Sequence, residues 1–195
     1  MRVLLLVAHP SPASFIHAAA NAATVALRSS GHHVDVIDLY AIGYRAWMSA
    51  EERHAYHSDD PIADPTVAEH VALLGQADAL VFCYPTWWST LPAILKAWLE
   101  RTMVPGVGFV FNANGKVRPG LTHVKQLIGI STYGSKWLYV KAINDNGRRT
   151  LQRTLRMSTG LTTRTAWLPF YAVDSSTPQQ RRAFLDRITK RMAAL

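Results

Sequence analysis

Cysteine is almost missing from this chain: Cys83 is the single one among 195 residues. No internal disulfide can staple the fold, so a hydrophobic core must hold it, and the length is ample for one. A lone thiol inside an apolar run reads as a small buried hydrophobe in a reducing compartment. Long apolar runs are missing as well. The first, residues 3–8, stops at His9-Pro10, short of a secretory h-region and of the roughly 20 apolar residues a spanning helix needs. These absences lead us to expect a cytoplasmic protein. Charged residues make up only 17% against 49% hydrophobic ones, the balance of a soluble globular chain, and residues 1–195 are expected to form one domain.

Several chemical motifs are also absent. There is no Gly-x-Gly-x-x-Gly fingerprint and no P-loop lysine pattern, so a dinucleotide held in the Rossmann manner is not indicated. Without a Gly-x-Ser-x-Gly elbow, a hydrolase triad is not indicated either. His54 and His57 with Asp59-Asp60, and the pair His32-His33, lack the closed ligand set of a structural zinc site, so no metal is expected. Acidic residues are scarce only at one end. Residues 1–140 hold ten basic and ten acidic side chains, whereas 141–195 hold eleven basic and three acidic ones, which carries the whole net charge of +8. Such a basic third is either a set of solvated helix faces or an attraction for phosphorylated partners.

What the chain does have is alternation of apolar runs with helical patterns, the mark of βαβ units and a parallel sheet. Strands are expected at 3–8, 34–39, 79–84, 127–131 and 166–168. Ser14 caps a helix with its stripe at Ile16, Ala20, Ala23 and Leu27. Asp64-Pro65 starts another, with Val67, His70, Val71 and Leu74 on one face. Pro92 opens a third, and Thr177, Pro178 and Gln180 make a capping box for the last. Residues 41–65 read as a long surface excursion. Asn114-Gly115, following the alternating Val107, Phe109 and Phe111, signals a two-residue hairpin.

In open parallel sheets, ligands sit outside the carboxyl ends of the strands. Three loops of unusual composition fall there. The first, with His9, Ser11, Ser14 and Phe15, leads into a helix amino end, where free N–H groups and hydroxyls suit a phosphate; an ordinary capped turn would look the same. The second runs Tyr84-Pro85-Thr86-Trp87-Trp88-Ser89. Adjacent tryptophans at a strand end are costly in water, and they suit either core packing or a flat aromatic ligand. The third spans Ser131-Thr132-Tyr133-Gly134 to Tyr139. A mononucleotide phosphate on the first loop with its rings against the second describes a flavin.

In these loops the chain resembles the flavodoxin-like NAD(P)H:quinone oxidoreductases, the DT-diaphorases and the ancillary flavoproteins of bacterial potassium efflux systems. The motifs are His9…Ser14-Phe15, Tyr84-Pro85-Thr86-Trp87-Trp88 with Leu91-Pro92-Ala93-Ile94-Leu95-Lys96, and Ser131-Thr132-Tyr133-Gly134…Tyr139. The resemblance implies an α/β three-layer sandwich on a five-stranded parallel sheet of order 2-1-3-4-5. It assigns the flavin phosphate to His9, Ser11, Ser14 and Phe15, and the ring to Pro85, Thr86, Trp87, Trp88 and Ser89. The closing loop falls to Ser131, Thr132, Tyr133, Gly134 and Tyr139, with Thr132, Gly134 and Tyr139 beside the reacting edge. Two positions depart from the pattern: Tyr133 stands where the family has a glycine, and Asp145 where the animal enzymes have a relay histidine. Ile16, in place of a polar side chain, favours FMN over FAD.

The function expected on this basis is ping-pong hydride transfer from NAD(P)H, through flavin N5, to a quinone-like small molecule. The resemblance also suggests a homodimer covering its flavins at the interface, with aromatic surface from Tyr44, Trp47, Tyr56, Phe109 and Phe111. Neither nucleic acid nor direct membrane contact is expected. A regulatory subunit docked on a membrane transporter is the alternative, and an electron carrier is disfavoured by the basic charge.

Overall fold

The computed structural model describes residues 1–195. Strands β1 (Arg2–Val7), β2 (His33–Asp38), β3 (Ala79–Pro85), β6 (Gln126–Thr132) and β7 (Arg164–Phe170) form one parallel sheet of order β2-β1-β3-β6-β7. With the intervening hairpin set aside, this is the expected 2-1-3-4-5. Cys83 of β3 registers with Val7 of β1 and Ile130 of β6. Its thiol is fully buried, and burial alone pushes its pKa far up.

The central strands are apolar because both faces are covered: β3 is buried along its length and β1 from Val3 to Val7, whereas the edge strand β2 mixes buried and exposed residues. On one face, Val3, Leu5 and Val7 pack with Ala19, Ala23 and Leu27 of α1 (Phe15–Ser29) and with Phe184, Ile188 and Met192 of α8 (Pro178–Ala193). On the other, Leu4, Leu6 and Phe82 meet Val67 and Leu74 of α3 (Pro65–Gln76) and Leu95 and Trp98 of α4 (Ala93–Thr102). Gly129 in mid-strand is required by this packing: a Cβ there would lie 2.0 Å from the Trp167 ring.

The predicted caps are present. Ser14 accepts from the His17 N–H, Asp64 accepts from Thr66 and Val67, and Thr177 with Gln180 closes a capping box. Pro92 is the residue before α4 rather than in its first turn.

Three expectations need correction. Residues 41–65 are not a loose excursion: they contain α2 (Ala50–Ala55), whose cap Ser49 pairs reciprocally with Glu52. Tyr44 is buried beneath the Arg101 guanidinium, 4.5 Å from its ring, and stacks on His70, so it offers no exposed aromatic surface. The hairpin of β4 (Phe109–Phe111) and β5 (Val117–Pro119) exists, but its turn is longer than two residues. Asn112 and Lys116 pair across it, and the Asn112 side chain accepts from the N–H groups of Asn114 and Lys116. Only Gly115 takes the left-handed conformation, whereas the type I′ turn that an Asn-Gly pair signals needs it at both central positions.

Between β6 and β7 the chain is helical but broken. Helix α5 (Trp137–Ala142) ends at Asn144 and Asp145, both with positive φ. Helix α6 (Asn146–Arg149), a π-helical turn over Thr150–Leu155 and α7 (Arg156–Thr159) follow.

Candidate active site

Because all five strands run the same way, their carboxyl ends share one edge, where a cavity of about 860 Å³ opens. That lies within the size range of small-molecule sites. Its walls are the exits of β1, β3 and β6, as the three loops suggested, together with α5 and the segment after β7.

At the first exit His9 and Phe15 line the cavity, while Ser11 and Ser14 do not. The Ser11 N–H donates to His9 Nδ1 at 3.0 Å, which places the proton of the neutral ring on Nε2. Burial is the main reason that the His9 pKa lies below its ordinary value, and His17 adds to it. Ser14 Oγ is engaged with the His17 N–H and with His17 Nδ1 at 2.9 Å, and His17 Nε2 lies 2.8 Å from Asp38. Ser14 therefore positions the helix end and offers no free hydroxyl. The N–H groups of Phe15 and Ile16 have no acceptor within the chain.

At the second exit Pro85, Thr86, Trp87, Trp88 and Ser89 all line the cavity. The Thr86 N–H donates to the Thr132 carbonyl at 2.7 Å, tying this loop to the next. Trp87 packs near His9, their ring centroids 5.8 Å apart. Trp88 is different. It stands at the rim with 99% of its surface open, on a backbone with φ of 46°. It lines the cavity only from its rim and is not part of the core.

At the third exit Thr132, Tyr133 and Gly134 line the cavity, while Ser131 is buried behind Thr86, hydroxyl to hydroxyl at 2.8 Å. Gly134 lies beside Asp174, whose exposed side-chain Oδ2 would be 2.9 Å from a Cβ there and can turn away. Its N–H and that of Ser135 are unclaimed within the chain, as are those of Trp88 and Ser89. Tyr139 reaches the same cavity from helix α5 rather than from a loop, and is more than half exposed.

The Tyr133 hydroxyl donates to Asp145 Oδ1 at 2.9 Å. Burial raises both groups: the phenol strongly, with the Asp145 charge adding to it, and the carboxyl against the pull of Tyr133 and of Arg148 and Arg149. Behind them the Tyr84 hydroxyl is buried without a partner.

Sequence reasoning missed Ser135, Val140, Ile143, Val173, Asp174 and Arg181, and noted Ile16 only for the choice of flavin and Asp145 only as a departure. Asp174 and Arg181 follow β7, and the rule that found three strand exits pointed equally to this fourth. Arg181 is the one Lys or Arg on the wall. It donates to Ser176 Oγ and the Val173 carbonyl, and lies 5.8 Å from the Phe15 ring. Its charge thus sits near the free N–H groups of α1.

Comparison with known proteins agrees with this geometry. The profile of a family described as having a flavodoxin-like fold matches residues 1–195. NAD(P)H dehydrogenase [quinone] 1 of Cavia porcellus is 30% identical over 153 residues, covering 71% of this chain and 55% of that protein. The chain spans about half the length of the curated relatives it first matches. Among solved structures, an NAD(P)H:quinone oxidoreductase from Methanothermobacter marburgensis superposes with a TM-score of 0.81 at 25% identity, covering 99% of this chain and 96% of that one. An FMN-dependent NADH-azoreductase from Bacillus anthracis, solved in complex with FMN, gives 0.79 at 12% identity, covering 99% and 98%.

Proposed function

Since the chain belongs to the flavodoxin-like-fold family, we propose that it is a flavin-dependent NAD(P)H oxidoreductase acting on quinone-like or azo-type acceptors. The observation that carries this reading is the cavity where unclaimed N–H groups of the β1, β3 and β6 exits converge beside Trp87. The relatives named above support FMN and NAD(P)H in particular. They are named as enzymes, and the transporter-subunit alternative draws no support from them.

The residues fit a flavin mononucleotide. Phe15 and Ile16 present two free N–H groups at a helix amino end, and Arg181 supplies the countercharge for a phosphate. His9, Thr86 and Trp87 offer a wall for the ring, and the free N–H groups of Gly134 and Ser135 suit its polar edge. The chemistry such a group supplies is hydride uptake at N5 from a reduced nicotinamide and delivery to the acceptor in two half-reactions. The protein's part is to orient, exclude water and hold protons: Tyr139 brings a hydroxyl to the cavity, and Asp145 with Tyr133 forms a proton-holding pair at its wall. Ser11, Ser14 and Ser131 act as positioning residues behind the wall.

We further propose that residues 1–195 act as one cytoplasmic domain and pair as a homodimer. Trp88, Trp47 and Phe111 are each more than half exposed, which is unusual for large apolar side chains and is relieved by an isologous interface across the open cavity.

Mass analysis of the extracted cofactor, with NAD(P)H oxidation by menadione, tests the central reading. FMN and rapid turnover are expected, and a colourless protein without turnover would refute it. Light scattering is expected to give a dimer, and a monomer with flavin and full activity would exclude the interface.

A further inference from the structure

A second cavity, of about 480 Å³, lies beside the first, and Val140 and Asp145 line both. Its wall carries Lys141, Arg148, Arg149, Arg153 and Arg156, with Asp145 as the sole carboxylate. None of these five cations has a carboxylate within 4.0 Å. Arg156 Nε is buried without any partner. Asp145 accepts from Tyr133 and feels the charges of Arg148 and Arg149, but one carboxylate cannot balance five cations.

Two aromatic rings flank these charges. Trp137 is half exposed with Lys141 Nζ 5.0 Å from its ring centre, and Tyr171 packs at a tilt against Tyr133 of the neighbouring cavity, their ring centroids 4.8 Å apart. The backbone here is also unusual, with left-handed Asn144 and Asp145 followed by a π-helical turn. Such features cost energy in a helix and tend to persist where function needs them. An exposed ring beside clustered guanidinium groups has the chemistry of a phosphorylated nucleoside, with stacking for the base and forked donors for a phosphate dianion.

We propose that this cavity holds the adenosine end of the reduced dinucleotide and takes its 2′-phosphate, so that the protein prefers NADPH to NADH. The proposal rests on the oxidoreductase reading above, which leaves the reductant open. From the first cavity, the dinucleotide runs past Val140 and Asp145 into the second.

The test titrates the purified protein with 2′,5′-ADP and with 5′-AMP by calorimetry, and measures KM for both reductants. Tenfold or tighter binding of 2′,5′-ADP is expected. In the Arg149→Gln/Arg153→Gln variant that preference should disappear, with KM for NADPH rising about tenfold, KM for NADH unchanged and flavin content unaltered. Arg153→Gln alone should show a smaller change of the same kind. Equal binding of the two nucleotides would overturn the proposal. So would a preference that survives in the double variant, or equal changes of KM for both reductants. A single-stranded RNA oligomer that binds here while neither nucleotide does would reassign the cavity to nucleic acid. The titration needs no turnover, so failure of the flavin reading would show separately as absent cofactor.

Discussion

Arg101 and Arg153 are the same residue type under opposite conditions. Arg101, on α4, has a side chain only 1% exposed. It bonds Glu52 at 2.6 Å, Asp64 at 2.6 Å and the Arg45 carbonyl at 3.0 Å, while Arg45 also bonds Glu52 and Asp64. Two cations thus face two carboxylates, and the cluster ties residues 45–64 to the body of the fold. Arg153 sits among four other cations on the wall of an open cavity with a single carboxylate. A buried charge that finds partners serves the fold, since leaving it unpaired is costly. A group of like charges that meets only neutral acceptors, as Arg148 does at Gln152 and Arg156 at the Leu161 carbonyl, keeps its charge open to an anion.

The sharpest test of this contrast is Arg101→Ala. It removes the buried one of the two cations and leaves Arg45 alone to pair Glu52 and Asp64, and the expected loss is about 3 kcal/mol, measured by urea denaturation. A loss below 1 kcal/mol would mean that the excursion is held by its apolar contacts alone. Tyr133→Phe ranks next. Removing the donor to the Asp145 carboxylate should cost about 1.5–3 kcal/mol and raise the Asp145 pKa further, which carboxyl NMR would follow. An unmoved Asp145 resonance would break the link between the cavity wall and the basic segment.

The pH dependence of stability separates the two regions by sign. Burial raises Asp64, but the Thr66 and Val67 N–H groups with Arg101 and Arg45 outweigh it and leave its pKa below the ordinary 3.8. Its contribution is therefore present above pH 3.8 and lost as pH falls through the depressed value. Asp145 is raised above the same ordinary value, chiefly by burial. Its ionised form therefore costs stability, and that cost grows as pH rises from 3.8 through the raised value. Asp64→Asn should weaken the acid limb of the stability curve, while Asp145→Asn should improve stability at neutral pH; the reverse pattern would refute the assignment. The smallest effect belongs to Arg153→Gln, expected within about 0.5 kcal/mol of wild type by thermal melting. A larger loss would make the basic segment structural.

Much of the frame was legible because its signals are local. The caps at Ser14, Asp64 and Thr177 depend on a few neighbouring residues, and the apolar runs of the strands need no distant information. The lining of the cavity was legible where strand ends coincide with unusual loops, as at His9, Thr86–Trp87 and Thr132–Gly134. Ser14 and Ser131 were placed one layer too far forward: a serine at a helix cap or strand end reads the same whether it faces a cavity or a neighbour such as His17 or Thr86. Tyr139 was assigned to a loop, since a helix of six residues carries little periodic signal.

From the sequence alone came the class of fold, the order of its elements and the strand exits that carry the site, because these follow from hydrophobic periodicity and turn chemistry within short windows. Tertiary structure alone decided that Tyr44 and Arg101 are buried together, that Trp88 is left outside, and that Asp174 and Arg181 join the cavity from a fourth exit. It also decided that the arginines after Asp145 line a cavity with Trp137 and Tyr171. Each of these depends on which distant residues meet, and a charge or an aromatic ring takes its role from the partners that surround it.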